Sequence, residues 1–336
     1  MTKITLKPLA DQVILITGAS SGIGLVTAKL AAERGAKVVL VARNEQSLAD
    51  AVAEIVAKGG DAIHAVADVG DIAQVRAAAA AAIARYGRID TWVNDAGTAI
   101  YAKLVDTPLD EHQRLFQTNY FGAVHGALTA VEHLRENGGA IVTVGSIASD
   151  LPSPILSAYS ASKHAVRGFV DALRMELAAD GLRIAVTLIK PAGIDTPIAQ
   201  NAAKHVDGDG MIPPPVYDPT LVARAILDAA EHVRRDVTVG GAGRLQVLIG
   251  KHFPALIDLA APFMEPVMSD PDRRPSPSTI FAPGRHGQER SGVQPGRKTS
   301  LYTAAQLHPA VTRAVLLTGA AAAAVGLLVS RRRRRG

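Results

Sequence analysis

Tyr159 and Lys163 are the pair whose types and spacing point most directly to chemistry. Four residues apart, they stand one turn apart on the same face of a helix. An ammonium beside a phenol of ordinary pKa ~10 makes that phenol more acidic, so that it can give its proton to a developing oxyanion. Run backwards, the tyrosinate is a general base toward an alcohol. Ser146 ends the run Val144-Gly145-Ser146, where its hydroxyl can hydrogen-bond and orient the same substrate oxygen. A second constellation is Thr17-Gly18-Ala19-Ser20-Ser21-Gly22-Ile23-Gly24. It follows an apolar run and opens a helix-period segment, the context of a phosphate-binding turn. Gly18 allows the turn, Gly22 lets backbone approach a pyrophosphate, and Gly24 permits close helix–strand packing. Cysteine is absent, which excludes disulfides, thiolate nucleophiles and Cys-ligated metals. The ten histidines form no H-E-x-x-H or comparable pattern, and no metal is expected.

These residues need a scaffold that brings them to one edge. Short apolar runs at Val13 to Thr17, Lys37 to Val41, Ala62 to Val66, Thr91 to Val93, Ala140 to Gly145, Arg183 to Ile189 and Asp236 to Val239 alternate with longer helix-period segments. Seven such strands predict an α/β fold, a doubly wound, Rossmann-like parallel sheet covered on both faces. Its ligand is expected at the carboxyl ends of the strands.

The 336 residues carry a formal net charge of +5, but the charge is split. Residues 1–272 hold 24 Lys+Arg against 30 Asp+Glu, whereas 273–336 hold 12 against Glu289 alone. The folded part is mildly acidic, so nucleic acid is not an expected partner. Met1-Thr-Lys-Ile-Thr-Leu lacks the apolar run of a signal peptide, and a cytoplasmic domain is expected. Residues 269–300 are rich in Pro, Gly, Arg and Ser and read as a flexible linker. Ala314 to Ser330 is uncharged for 17 residues and then meets Arg331 to Arg335. As a helix it would span about 25 Å, near the lower limit for a bilayer core. Membrane contact through 314–335 on the cytoplasmic face is expected, with a helix packed on the protein or a partner, or a basic contact to nucleic acid or another polyanion, as the alternatives.

TGASSGIG at 17–24, Asn94-Asp95-Ala96-Gly97 and Tyr159-Ser-Ala-Ser-Lys163 together resemble the short-chain dehydrogenase/reductase family, in its shorter subclass. The resemblance covers about residues 10 to 250. It implies that Asp68 and Val69 hold an adenine ring, that Asn94, Ala96 and Gly97 line the cofactor groove, and that Pro191, Gly193, Ile194 and Thr196 receive the nicotinamide carboxamide. It further implies that Asn119 completes the set with Ser146, Tyr159 and Lys163, holding a water that links Lys163 to solvent, and that Lys163 contacts the nicotinamide ribose. The family usually has Asn where Asp95 stands, a departure read as a local adjustment. At the end of the second strand the sequence reads Leu40-Val41-Ala42-Arg43-Asn44. With no carboxylate there and a guanidinium suited to phosphate, NADP(H) is expected over NAD(H).

The segments expected to frame the substrate, Leu151 to Leu156 and Ile194 to Tyr217, are apolar and proline-rich. They favour a lipophilic carbonyl or alcohol of steroid, retinoid or long-chain type. Residues 251–268 form a further apolar segment that either packs on the substrate loop or makes a lid. The expected organisation is therefore a catalytic domain over 1–250, the apolar segment 251–268, the linker 269–300 and a tail over 301–336. An NADP-dependent carbonyl reductase or alcohol dehydrogenase, assembled as a homodimer or tetramer, is the leading reading. A non-catalytic cofactor-sensing or interaction protein on the same fold is the alternative, and a nucleotide-sugar epimerase or dehydratase would need a different glycine spacing.

Overall fold

A computed structural model describes residues 4–284, 287–310 and 312. The strands in chain order are β1 (Val13–Thr17), β2 (Lys37–Ala42), β3 (Asp61–Val66), β4 (Thr91–Asn94), β5 (Ile100–Tyr101), β6 (Gly139–Val144), β7 (Ile184–Pro191), β8 (Ala203–Lys204), β9 (Asp209–Gly210), β10 (Asp236–Val239) and β11 (Ser269–Asp270). Seven of them make one parallel sheet in the order β10-β7-β6-β4-β1-β2-β3. The short pairs β5 with β8 and β9 with β11 lie outside it. β1 reads VILIT and is buried at every residue, as a strand covered on both faces must be.

The helices are α1 (Gly22–Glu33), α2 (Glu45–Ala57), α3 (Ile72–Tyr86), α4 (Leu109–Phe116), α5 (Gly122–Leu134), α6 (Ser157–Ala179), α7 (Ile198–Asn201), α8 (Pro219–Glu231), α9 (Gly241–His252), α10 (Pro254–Met264) and α11 (Leu301–Leu307). On one face, Leu25, Leu48, Ile55, Val222 and Ile226 pack α1, α2 and α8 against Ile14, Ile16 and Leu40. On the other, Val75, Ala130, Val166 and Val170 pack α3, α5 and α6 against Leu15, Val39 and Ile141. Alternate residues of each strand thus serve opposite cores. Side-chain caps from Asn44, Asp71 and Asp218 satisfy the first amides of α2, α3 and α8. Strand order reverses between β1 and β4, and a crevice opens at their carboxyl ends.

Two stretches beyond residue 268 lie differently from the compositional expectation. Residues 269–284 and 287–300, within the stretch 269–300 expected as a flexible linker, run against the domain. Arg290 forms an ion pair with Asp218, and Arg297 exchanges backbone hydrogen bonds with Val216 and Asp218. The Ser291 N–H donates to Asp195 at 2.9 Å. Polar contacts and one buried apolar residue, Ile280, hold a segment that apolar content alone would leave loose. The stretch 301–307, expected within the tail, is α11, seated by Thr303, whose hydroxyl accepts the Gly240 N–H at 3.0 Å. The run 314–330 and the arginines after it lie outside the described residues. Among the described residues no helix is long and apolar enough to cross a membrane.

Candidate active site

The glycine turn sits where the strand order reverses. Gly18 has φ +74°, and a Cβ there would come within 2.7 Å of the Ala96 backbone. Both the backbone angle and the close approach therefore require glycine. Thr17 ties the two strand ends together, its hydroxyl accepting the N–H groups of Asp95 and Ala96 at 3.2 and 3.3 Å. Ser20, Ser21, Gly22 and Ile23 continue from Gly18 along one wall of a cavity of about 690 Å3. Gly24 stands behind that wall, where a Cβ would meet the Asp95 carboxyl at 2.8 Å.

The same cavity runs from Arg43, Asp68 and Val69 past Ala96 and Gly97 to Ser146, Tyr159 and Lys163, and is closed by Pro191, Gly193, Ile194 and Thr196. Asn94 is not on its wall. Asn94 and Trp92 point to one face of β4, and the Asn94 carboxamide accepts the indole N–H at 2.8 Å and donates to the Ala123 carbonyl at 3.3 Å. Its amide therefore serves the packing of β4 on α5, which corrects the expectation that it lines the groove.

Lys163 and Tyr159 project from the first turns of α6. The Lys163 ammonium is 5 % exposed, donates to the Val144 carbonyl at 2.9 Å and lies 5.7 Å from the centre of the Tyr159 ring. Burial pulls its pKa down to about 8, against the attraction of the Asp95 carboxylate. Burial also raises the Tyr159 pKa above its ordinary value; a hydrogen bond with Ser146 opposes this and the Asp95 carboxylate adds to it. The expected acidified phenol is thus not found in the free protein: burial is the largest influence, and the Asp95 charge acts in the same direction. Asp95 itself is pushed up to about 7 by burial, with Lys163 and the Gly24 N–H pulling the other way.

Asn119 lies in a five-residue π turn, Gln117–Phe121, between α4 and α5. It does not touch Lys163. Its carboxamide accepts the Thr98 N–H at 2.8 Å and donates to the Thr98 carbonyl at 2.9 Å and the Ser162 hydroxyl at 3.1 Å. It fastens the Gly97-Thr98 segment to α6 one residue before Lys163. Ser146 caps the turn Ile147–Ser149, accepting the Ala148 N–H at 3.0 Å.

Three features had no signal in the sequence. Asp150 bridges Lys190, at 2.9 Å, and Arg167, so it binds the turn after Ser146 to both β7 and α6. Arg114 pairs with Asp68. The Arg43 guanidinium donates to the carbonyls of Thr279 at 2.6 Å and Ile280 at 3.3 Å, residues more than two hundred positions away. On the substrate side Leu151, Leu156, Ile212 and Pro213 to Pro215 line the cavity as expected of the two framing loops. Residues 251–268 contribute to that wall as well, through Ile257, Ala260 and Met264 of α10.

A family model described as short chain dehydrogenase matches residues 12–207. An uncharacterized oxidoreductase, YxnA, of Bacillus subtilis (strain 168) is 42% identical over 326 residues, covering 94% of this chain and 90% of that protein. Dehydrogenase/reductase SDR family member 7B of Danio rerio is 31% identical over 249 residues, covering 70% of this chain and 79% of that protein. Among solved structures, a short chain dehydrogenase/reductase from Burkholderia phymatum in complex with NAD matches with TM-score 0.68 and 26% identity, over 75% of this chain and 97% of that one.

Proposed function

The chain belongs to the short-chain dehydrogenase/reductase family and is an oxidoreductase of it, and from that premise we propose that it transfers a hydride between NADP(H) and a lipophilic carbonyl or secondary alcohol. The observation that carries the proposal is one cavity joining the glycine turn and Arg43 at one end to Ser146, Tyr159 and Lys163 and then to an apolar end. The turn fits a nicotinamide cofactor: at Gly18 a Cβ would fill the approach, and the amino end of α1 favours phosphate. Gly18 to Ile23 would hold the pyrophosphate, Asp68 and Val69 the adenine, and Pro191 to Thr196 the carboxamide. Arg43 would take a 2′-phosphate.

When bound, the nicotinamide supplies or accepts the hydride. Ser146 orients the substrate oxygen. Tyr159 gives that oxygen its proton in reduction or removes one in oxidation. Lys163 holds the ribose hydroxyls, and Asn119 positions the backbone at Gly97-Thr98. A screen of carbonyls with NADPH and NADH, followed by nicotinamide absorbance, tests the reading. Turnover of apolar ketones or aldehydes at higher kcat/KM with NADPH is the expected result; cofactor binding with no turnover would favour the sensing role instead.

Location and assembly extend the proposal. One side of α10 lines the cavity, with Phe263 at its exposed rim, while Leu256 and Leu259, the latter 72 % exposed, face outward. An apolar surface at the mouth of an apolar cavity is suited to drawing substrate from a bilayer. It supports contact of 314–335 with the cytoplasmic face of a membrane. A homodimer or tetramer is proposed, with the exposed Phe121 and Leu128 of the α4–α5 region as surface that a second copy would cover.

A further inference from the structure

Residues 276–284 and 287–298 cross the adenosine end of the cavity and use the donors that a cofactor would need. The Arg43 guanidinium gives its N–H groups to the carbonyls of Thr279, Ile280 and Ala282. Asn44, the next residue, donates to the Gly284 carbonyl. The N–H of Gly22, at the amino end of α1, donates to the Gln288 carbonyl at 2.8 Å. Gly287 lies so close to the turn that a Cβ would come within 2.7 Å of the Ser20 carbonyl. Thr279, Pro283 and Gly284 accordingly appear in the wall of the same cavity as Gly18 and Arg43.

Both ends of this crossing are fastened. On one side Ile280 is 2 % exposed and packs with Ile100 and Leu115, while the Thr279 N–H donates to the Asn201 carbonyl at 2.9 Å. On the other, Arg290 reaches Asp218 through two N–H groups at 2.9 and 3.2 Å, and the Ser291 hydroxyl donates to Asp195 at 2.5 Å. The contacts to Arg43 come largely from the first clasp itself and those to Asn44 and Gly22 from beyond it, and all are made by neutral backbone carbonyls. A guanidinium and a phosphate form a bidentate pair of two ionised groups, which a neutral carbonyl cannot match. A dianionic 2′-phosphate can therefore displace the carbonyls from Arg43, whereas a cofactor ending in a ribose hydroxyl competes only with the Gln288 carbonyl at the Gly22 N–H.

We propose that residues 276–284 and 287–298 form a strap that acts as an internal competitor for the 2′-phosphate, closed over Arg43 until a cofactor carrying that phosphate displaces it. This rests on the assignment of Arg43 as the 2′-phosphate site. The strap lowers the apparent affinity for NADP(H) by the fraction of molecules in which it is open and lowers NAD(H) affinity less, through the Gln288 carbonyl at the pyrophosphate turn alone. It thereby tunes cofactor preference from outside the βαβ unit that carries Arg43.

The test uses the full chain with NADP+ and NAD+ as separate probes. Affinity is measured by calorimetry, and amide hydrogen exchange is followed across 276–298. Saturating NADP+ is expected to speed exchange in this stretch about tenfold, and NAD+ to speed it only around Gln288. The double variant Arg290→Ala/Ser291→Ala, which opens one clasp without touching the cavity, is expected to tighten NADP+ about fivefold and NAD+ less than about twofold. NADP+ that binds tightly while strap exchange stays constant or slows, with no gain in the double variant, overturns the strap and leaves the cofactor assignment standing. A wild type that prefers NAD+ and a double variant that prefers NADP+ would support the strap and overturn the proposed NADP preference. Failure of both proteins to bind NADP+ removes both.

Discussion

Tyr159 carries the proposed proton transfer with a single oxygen, and its ring packs with Ile155, Ile212 and Met268. Tyr159→Phe keeps that packing and deletes the proton. Turnover should fall by about 10²-fold or more, with cofactor affinity within about twofold of wild type; retention of most activity would remove Tyr159 from the mechanism. Asp95 makes a second residue-scale prediction. Its folded pKa of about 7 exceeds the unfolded value near 3.8. Between these values the folded state keeps a proton that the unfolded chain has lost. The contribution of Asp95 to stability is thus full below about pH 4 and is lost as pH rises through about 7. Urea unfolding at a series of pH values should show this decline in wild type, and Asp95→Asn should flatten it; equal slopes in the two proteins would refute the assignment.

At the scale of elements, the turn after Ser146 depends on Asp150. Its carboxylate is shared by Lys190 of β7 and Arg167 of α6, and Lys190 and Asp150 are both buried. Asp150→Ala leaves the Lys190 ammonium buried without its partner. A loss of about 3–5 kcal/mol in denaturant unfolding is expected. Because Asp150 lies four residues beyond Ser146, kcat should fall with it, since Ser146 loses its fixed orientation. A variant within about 0.5 kcal/mol of wild type would mean that solvent reaches this pair freely.

For the whole molecule, the division between body and tail decides how location is tested. The packing of α11 on β10 through Thr303 and through Gln306, which accepts the Thr238 N–H at 3.2 Å, makes 301–307 part of the body. Truncation should therefore follow residue 312. A chain ending there is expected to keep its turnover of a water-soluble carbonyl and to move from the membrane to the soluble fraction. Removal of Arg331 to Arg335 alone should weaken retention less, because burial of the apolar run outweighs head-group attraction. Full-length protein that is released by high salt alone would replace the anchor with a peripheral basic tail.

Local signals were enough for the central strands, the glycine turn and the Tyr159–Lys163 pair, because each rests on a short-range rule. Alternation or continuous apolarity marks a strand, a fixed glycine spacing marks a turn, and a four-residue interval puts two side chains on one helix face. The sequence therefore determined the doubly wound sheet, with β1 and β10 bounded as expected, and named residues such as Gly18, Arg43, Ser146, Tyr159 and Lys163 that stand around one cavity. Tertiary structure alone decided which face of β4 Asn94 serves, that burial is the largest influence on the Tyr159 phenol, and what joins Asp150 to Lys190. It also decided that Thr279 to Ala282, in the stretch expected as a linker, lies over Arg43. Composition foretold a loose segment there because it counts apolar residues, whereas this segment is held mainly by hydrogen bonds to Arg43, Asp195 and Asp218. Those partners are distant in the chain, and their pairing exists only once the sheet has brought the loops at its carboxyl edge together.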